Sequence, residues 1–257
     1  MTAPATTRTP ALRLRGISKT FGHVIALADV DLEARAGEVL AIVGDNGAGK
    51  STLIKIVSGV YHPDAGIMEV AGVPVAPGNP AEARRTGIAT VFQDLALVEV
   101  LDVATNMFLG QFPRRGWFVD RAAMESQSRA FLDGLGVTVS SVRSEVGMLS
   151  GGQRQIIAIA RAMRAGGKVV LLDEPTAALG VRETGQAAKL IRSLRDQGCA
   201  VICVSHDMSF VFDNADRIQV MRLGRVAGVR QTSATTRDEI VGLITGSVTA
   251  DPIDGPA

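Results

Sequence analysis

Hydrophobic and polar residues alternate along two stretches near the start of the chain. In Leu12–Ile17 (LRLRGI) apolar side chains alternate with basic ones, and Ala26–Ala34 (ALADVDLEA) alternates in a similar way. Strands with a period of two have one buried face and one wet face, which is typical of antiparallel sheets. We therefore predict an antiparallel β region in the first third of the chain.

Four other stretches are apolar without interruption over the length of a strand. Runs of this kind form parallel strands that are covered on both faces. They are Val39–Val43, Ile88–Phe92, Val169–Leu172 and Ala200–Val204. Segments with helical spacing of apolar residues separate them. These predicted helices are Lys50–Ser58, Ala81–Arg85, about Arg121–Leu135, Gln153–Arg164 and Glu183–Gln197.

The order of these elements predicts an α/β fold. The chain carries no internal repeat and no linker, so we expect one folded domain at residues 12–246. Little strand signal occurs from about 95 to 165, which indicates a helical region inserted into the α/β core. The tails at 1–11 and 247–257 are polar or rich in proline, and we expect both to be disordered.

Charge and hydropathy narrow the possible partners. A formal net charge of +1 gives no electrostatic reason to expect a nucleic-acid partner. No apolar run approaches the roughly 20 residues that a membrane-spanning helix needs. The opening MTAPATTRTP also lacks the apolar segment of a secretion signal. We therefore expect a protein that is soluble and cytoplasmic, or one that is attached to a membrane only through a partner.

The stretch GDNGAGKS fits the phosphate-binding pattern G-x-x-x-x-G-K-[ST] and lies between a predicted strand and a predicted helix. Its glycines allow backbone N–H groups to surround phosphates, while Lys50 would reach the β- and γ-phosphates and Ser51 would bind Mg²⁺. A chance glycine-rich turn is the alternative, and the flanking strand and helix argue against it. The predicted nucleotide-binding residues here are Gly44, Asp45, Asn46, Gly47, Ala48, Gly49, Lys50, Ser51 and Thr52.

Two adjacent carboxylates, Asp173 and Glu174, follow the apolar run Val169–Leu172. Such a pair is often a solvated turn when it stands alone. Beside a phosphate-binding loop, however, Asp173 can join the Mg²⁺ shell, and Glu174 can act as the general base or orient the attacking water. We predict these roles for the two residues.

Gln93 and His206 also follow apolar strands. Ligands of open α/β sheets bind at the carboxyl ends of strands, so both side chains would join Lys50 and Asp173 in one site. Gln93 would bind Mg²⁺ and water at a hinge into the helical region, and His206 would hydrogen-bond the γ-phosphate. Each is alternatively an ordinary turn or structural residue.

Phe21 lies in the stretch KTFGHVIAL. An exposed aromatic side chain in a loop can stack on adenine, or it can pack locally. We predict the stacking role.

A second glycine-rich helix start occurs at Leu149–Gln153 (LSGGQ). Ser150 is a strong N-cap, and Gly151 and Gly152 expose backbone N–H groups that suit an anion. Taken alone, the motif is equally an ordinary structural helix start. It raises the question of why one chain has two phosphate-facing loops, only one of which contains a lysine.

Five ordered motifs together resemble the nucleotide-binding subunit of ABC transporters over essentially all of residues 12–246: GDNGAGKS, VFQ, LSGGQ, LLDEP and SHD. The resemblance implies a P-loop NTPase core of the RecA-like type, with ATP and Mg²⁺ as cofactors. It also implies that LSGGQ contacts the ATP held by the P-loop of a second subunit. Because the chain has one set of motifs, that subunit is expected to be a second copy in a homodimer. The residues expected to reach the partner's ATP are Ser150, Gly151, Gly152 and Gln153.

A finer likeness is carried by DVATNMFLG, DRAAM, DEPTAALG and SHDM. These stretches resemble the ATPases of bacterial monosaccharide importers of the ribose, xylose and fructose type. The likeness implies transmembrane permease subunits and, indirectly, a periplasmic sugar-binding protein as partners. It places the chain at the cytoplasmic face of the inner membrane, held there by the permease. Gly180 stands where the wider family has an aspartate that helps communication across the dimer interface.

Three alternatives stay open at this point. The first is a soluble ABC ATPase that acts on nucleic acid or ribosomes, although the chain has neither the long coiled coil nor the two modules of such relatives. The second is the ATPase of an ABC exporter, against which only the finer likeness speaks. The third is a module that changes shape on binding ATP without useful hydrolysis, for which Gly180 is the sole reason.

Overall fold

The computed structural model describes residues 9–137, 139–164, 166–177 and 179–248. Its strands are β1 (Leu12–Phe21), β2 (Val24–Ala34), β3 (Val39–Val43), β4 (Ala65–Val70), β5 (Val73–Val75), β6 (Ile88–Val91), β7 (Arg114–Arg115), β8 (Phe118–Val119), β9 (Val169–Asp173), β10 (Ala200–Val204), β11 (Arg217–Arg222) and β12 (Arg225–Gln231). Its α-helices are α1 (Lys50–Val57), α2 (Pro80–Arg85), α3 (Val103–Met107), α4 (Arg121–Gly134), α5 (Gly151–Arg164), α6 (Val181–Asp196), α7 (Met208–Asn214) and α8 (Arg237–Thr245). Most of the two predicted tails, residues 1–8 and 249–257, lies outside the described residues.

The alternating stretches form an antiparallel sheet with the strand order β2-β1-β4-β5. Leu12 pairs with Ala34 of β2 on one side and with Val70 of β4 on the other. The apolar residues of the alternation, Leu12, Leu14 and Ile17, are buried. The predicted antiparallel region is therefore confirmed, and the structure extends it by β4 and β5, which were not predicted.

A second sheet has six strands in the order β12-β11-β3-β10-β9-β6. Its strands run parallel to their neighbours, except that β12 runs antiparallel to β11 at the edge. The four continuous apolar runs are β3, β6, β9 and β10, and every residue of β3 and β10 is buried. The predicted α/β fold is confirmed. Because these four strands are parallel, their carboxyl ends lie at one edge of the sheet, and the predicted site residues follow there.

Both faces of the parallel sheet are covered. Val170 and Leu172 of β9 pack into the apolar cluster that contains α5 and α6. Leu171, which lies between them in the sequence, points to the opposite face and packs with α1 and the antiparallel sheet. This double coverage explains why the strand reads as an uninterrupted apolar run.

The elements that follow residue 206 were not predicted. Strands β11 and β12 form a hairpin whose two turn residues, Leu223 and Gly224, have φ values of 48° and 75°. Positive φ at both positions gives a turn with the twist that a two-residue hairpin needs. β11 begins and ends with arginine and has Gln219 inside it, and β12 has polar residues at both ends, so neither strand is a continuous apolar run.

The stretch from 95 to 165 contains α3, α4 and α5, together with a short hairpin of β7 and β8 that was not predicted. Helix α5 begins at Gly151, two residues before its predicted start, and α6 begins at Val181 instead of Glu183. The predicted starts are late because the first turns of both helices hold mostly glycine or polar residues, which show no apolar periodicity. Within the described residues, no helix has the length and apolarity required to span a bilayer.

Candidate active site

The phosphate-binding loop joins β3 to α1, as the sequence predicts. Gly44 has a φ of 151°, and a β-carbon there would collide with the carbonyl oxygen of Met221. Gly49 has a φ of 100° and precedes the first residue of α1, and a β-carbon there would lie 2.7 Å from the carbonyl oxygen of Ala26. Both glycines are therefore required by the backbone path and by close neighbours. Between them, Asp45, Asn46 and Gly47 are exposed at the tip of the loop.

The Lys50 side chain folds back over this loop. Its ammonium group donates hydrogen bonds to the carbonyl oxygens of Gly44, at 2.6 Å, and Asp45, at 2.8 Å. Burial lowers the pKa of Lys50, and the negative charges of Glu174, Asp45 and Asp173 act in the opposite direction. The lysine is thus held where the loop and the carboxylates at the end of β9 face each other.

Asp173 is the last residue of β9, and its partner in register on β10 is Val204. Burial raises the pKa of Asp173, and the adjacent charge of Glu174 raises it further, while Lys50 and Lys55 oppose the rise. The structure therefore brings Asp173, Glu174 and Lys50 into one electrostatic group at the carboxyl edge of the sheet.

Glu174 sits in an unusual conformation. Its φ is 51°, in the left-handed region that a glutamate rarely adopts, and its backbone N–H donates to the carbonyl oxygen of Val204 at 3.0 Å. The Nδ1 atom of His206 lies 2.9 Å from Glu174 Oε2. The two atoms are at ion-pair distance, but they are not aligned as a hydrogen bond. Oε2 is buried, and no described residue donates a hydrogen bond to it. Strained backbone and an unsatisfied buried carboxylate oxygen both cluster at functional sites.

His206 follows β10, and its side chain is 74% exposed although it touches a carboxylate that is 17% exposed. The residues on either side fix its position: Ser205 is buried and accepts a hydrogen bond from the Asp207 N–H, and Asp207 caps α7 by accepting from the Phe210 N–H. His206 therefore presents an open ring face to solvent beside Glu174.

Gln93 is exposed just after β6, which pairs with β9 through Val91 and Leu172. This pairing puts Gln93 at the same edge of the sheet as Asp173. Ser51 is exposed in the first turn of α1. A hydroxyl, a carboxylate and an amide oxygen thus share this edge, and all three are hard oxygen ligands of the type that Mg²⁺ takes.

The LSGGQ segment starts α5 with a reciprocal cap. Ser150 Oγ accepts from the Gln153 N–H at 3.3 Å, and Gln153 Oε1 accepts from the Ser150 N–H at 2.9 Å. Gly152 is buried, and a β-carbon there would overlap the side chain of Glu183 at the start of α6. None of the hydrogen bonds or ion pairs among the described residues joins this segment to Lys50. The two phosphate-facing loops of one chain are therefore not joined by any polar contact of these kinds.

Phe21 ends β1, and its ring is 42% exposed. The ring meets Tyr61 edge to face at a centroid distance of 5.2 Å, and the Lys19 ammonium lies 5.6 Å from its centroid. The open ring face is compatible with the predicted stacking on adenine, which stays a prediction. Tyr61 was missed by the sequence analysis because no pattern distinguishes it from an ordinary residue after α1.

A groove with a volume of 360 Å³ lies beside Gln93, and we call it the β6–α5 groove. Phe92 and Asp94 line it on either side of Gln93, and Arg161 of α5 donates to the carbonyl oxygens of Leu95 and Ala96, both at 2.7 Å. The groove connects the end of β6 to the helices of the middle region.

Comparison with known proteins agrees with this geometry. Residues 27–177 match the ABC transporter family. The chain is 46% identical over 246 residues to a fructose import ATP-binding protein of Rhizobium meliloti, covering 93% of this chain and 95% of that protein. It is 45% identical to a ribose import ATP-binding protein of Rubrobacter xylanophilus, of which it spans about half, 47%. A solved ATP-binding cassette of an ABC transporter superimposes with a TM-score of 0.79 at 26% identity and covers 92% of this chain. The chain therefore belongs to the ABC transporter family, whose cassettes bind ATP.

Proposed function

We propose that this chain is the ATP-hydrolysing subunit of an ABC importer for a monosaccharide. The observation that carries the proposal is Glu174, a strained and partly unsatisfied carboxylate that faces His206 and Lys50 at the mouth of a phosphate-binding loop. The sugar rests on similarity alone: relatives named as fructose, ribose and xylose/arabinose import ATP-binding proteins are 40% to 46% identical to this chain.

The residues of the chain divide the work of hydrolysis. The residues from Gly44 to Thr52 hold the phosphates, and the Lys50 ammonium exchanges the carbonyl oxygens of its own loop for the β- and γ-phosphates. Glu174 accepts a proton from water or orients that water toward the γ-phosphate, and its buried position keeps the carboxylate aimed. His206, with its open ring, donates to the γ-phosphate. Phe21 stacks on the base.

Mg²⁺ fits the donors that are present. The candidate ligands are Ser51, Gln93 and Asp173, and bound there the ion would neutralise charge that develops on the phosphates. The described residues contain no group of three His, Cys, Asp or Glu side chains that would bind a metal ion by itself. One carboxylate with neutral oxygens suits an ion that nucleotide phosphates and water help to hold.

Two copies of the chain would share two ATP molecules. Among the described residues of one chain, no hydrogen bond or ion pair joins Ser150–Gln153 to the P-loop, yet this segment has the capped helix start and buried glycine of an anion-binding end. A partner chain places Ser150, Gly151, Gly152 and Gln153 against the γ-phosphate held by Lys50. This arrangement answers why the chain has two phosphate-facing loops and one lysine.

The β6–α5 groove is where we place the permease. It has an apolar floor that includes Met107 and Leu109, with Arg84, Asp94 and Arg161 at its sides, so a short helix of a membrane subunit could dock in it. Gln93 lies between two residues that line the groove, so a movement of Gln93 would shift the groove wall when the nucleotide in the site changes. The chain then works at the cytoplasmic face of the inner membrane, and a periplasmic sugar-binding protein delivers the sugar to the permease.

Phosphate release by the purified chain tests the proposal. Lys50→Ala should weaken MgATP binding by about 10- to 150-fold, because hydrogen bonds to charged groups contribute about 1.5–3 kcal/mol. Lys189→Ala, which removes an exposed lysine from α6, is the matched control and should bind as the wild type does. Unchanged MgATP binding in Lys50→Ala, or no phosphate release by the wild type, would contradict the assignment. Sugar uptake in a strain that lacks this chain then tests the monosaccharide.

A further inference from the structure

The hairpin of β7 and β8 exposes an unusual set of side chains. Trp117 is 95% exposed, Phe118 80% and Val119 48%, and we call these three residues the aromatic tip. Aromatic side chains are costly to leave in water, and a soluble surface seldom groups them at one projecting point. The tip takes no part in the active site described above.

The base of the hairpin is fixed while the tip is free. Asp120 donates its backbone N–H to the carbonyl oxygen of Pro113 and caps α4 by accepting from the Ala123 N–H. Arg121, the next residue, donates to Asp102 at the start of α3 at 2.8 Å. Gly116, with a φ of 64°, turns the chain directly before Trp117. These contacts anchor the base of the hairpin, and the aromatic tip projects from the surface.

Positive charge accompanies the aromatic tip. Arg114 and Arg115 form β7, both are exposed, and neither makes an ion pair or a side-chain hydrogen bond with any described residue. The segment from Leu109 to Val119 contains these two arginines and no aspartate or glutamate. The hairpin therefore carries a local positive charge, although the formal net charge of the chain is only +1.

We propose that this hairpin binds the surface of an anionic bilayer. Segments that combine tryptophan and phenylalanine with neighbouring arginines insert at the level of the lipid headgroups. There the aromatic rings contact acyl chains, and the guanidinium groups contact lipid phosphates. Phe118 and Val119 are successive residues of a strand and point to opposite faces of it, so the apolar atoms surround the tip on several sides. A fluid interface accommodates that shape, whereas a protein pocket receives an apolar cluster on one face.

The position of the hairpin supports the same partner and rests on the proposed function. Leu109 and Gln111, which precede the hairpin, line the β6–α5 groove where the permease is proposed to dock. A membrane subunit seated in that groove brings the bilayer to the same side of the chain as the aromatic tip. The hairpin would then act as a second, weak contact whose effect is increased by the first.

The chain contains a single tryptophan, Trp117, so its fluorescence reports on the aromatic tip alone. The purified full-length chain is titrated with vesicles of phosphatidylglycerol and phosphatidylethanolamine in equal parts, and with vesicles of phosphatidylcholine. We expect the emission to shift to shorter wavelength with the anionic vesicles, to be quenched by brominated lipid, and to respond less as salt is raised. Phosphatidylcholine should give a weaker response.

Substitutions test the contribution of the positive charge. The double variant Arg114→Gln/Arg115→Gln should bind anionic vesicles about 30-fold more weakly, which is about fivefold for each arginine near such a surface. The variant Arg85→Gln/Arg225→Gln, which removes two exposed arginines elsewhere, is the matched control and should change binding little. ATP turnover of the purified chain should be the same in all of these variants, which confirms that each is folded.

The outcomes keep this proposal distinct from the proposed function. Lys50→Ala should still bind vesicles, and the hairpin variants should still hydrolyse ATP. No change in Trp117 emission at a large excess of anionic lipid would overturn the proposal, as would an equal response to both lipid mixtures that survives Arg114→Gln/Arg115→Gln. A shift that appears in phosphatidylcholine vesicles containing a membrane protein, and that Arg114→Gln/Arg115→Gln leaves unchanged, would also overturn it, because the tip would then bind a protein.

Discussion

We expect the buried charge of Glu174 to destabilise the fold, and one substitution tests this. Its Oε2 atom is buried with no donor in the described part of the chain, and the charge of Glu174 helps to raise the pKa of Asp173 beside it. Glu174→Gln keeps the shape of the side chain and the φ of the backbone but removes the charge. We expect this variant to unfold at a higher temperature than the wild type while its ATP turnover collapses.

The magnitude follows from the contacts of the carboxylate. In Glu174→Gln, the lost attraction to Lys50 lowers the stability of the fold and the lost repulsion from Asp173 raises it, so these two effects oppose each other. The remaining term is the desolvation of a buried oxygen without a donor, about 1–3 kcal/mol. A neutral glutamine amide costs less to desolvate than a charged carboxylate at the same position, so the substitution reduces that cost. A gain of about 1 kcal/mol raises Tm by about 2–4 °C in a domain of this size.

The assay is thermal unfolding without nucleotide, paired with phosphate release. Turnover of Glu174→Gln should fall by about 10²- to 10⁴-fold, the usual contribution of a general base. Glu38→Gln is the matched control: Glu38 is also buried, but its Oε1 accepts from the Arg35 N–H and from Arg217 Nη1, both at 2.9 Å. This control should lower Tm because it leaves Arg217 without its charged partner. The reasoning is refuted if Glu174→Gln also lowers Tm, or if it hydrolyses ATP within about tenfold of the wild type.

Two further substitutions test the packing and the electrostatics of the site. Gly152→Ala should lower the free energy of unfolding by about 1–3 kcal/mol because the added methyl group overlaps Glu183. Gly151→Ala, whose nearest neighbour would be Leu179 Cδ2 at 3.8 Å, should be nearly neutral in denaturant unfolding, and an equal loss in both would contradict the packing argument. Asp173→Asn should raise Tm at pH 7, since a pKa raised in the folded state means that the charged carboxylate destabilises the fold above that pKa. The gain should disappear as the pH falls toward the ordinary aspartate value of 3.8, and a gain that persists there would refute the cause given for the shift.

Much of the site could be predicted because it is built from local patterns. Asp173 ends an apolar strand, and Lys50 follows another apolar strand after a glycine-rich loop. A parallel sheet then brings such segments to one edge, so knowing the strands was enough to group the residues. The same local logic gave the cap of Ser150 on the N–H of Gln153.

The rest depends on contacts between distant segments. The requirement for glycine at position 152 comes from Glu183 on another helix. Glu174, whose φ is positive, donates its backbone N–H to Val204 on a neighbouring strand. The hairpin that carries Trp117 has strands of two residues each, which is too short for any alternation to be read. A single sequence holds no signal for these features.

The central claim is that ATP is bound between the P-loop of one chain and the LSGGQ segment of a second copy. Light scattering on Glu174→Gln with saturating MgATP tests it most directly, because we expect this variant to bind ATP without hydrolysing it. The account predicts a particle of twice the mass of the chain with MgATP. It predicts a single chain with MgADP, and also with MgATP when the same chain carries Lys50→Ala as a second substitution. A single chain at saturating MgATP, with ATP binding to it demonstrated in the same sample, would contradict the account.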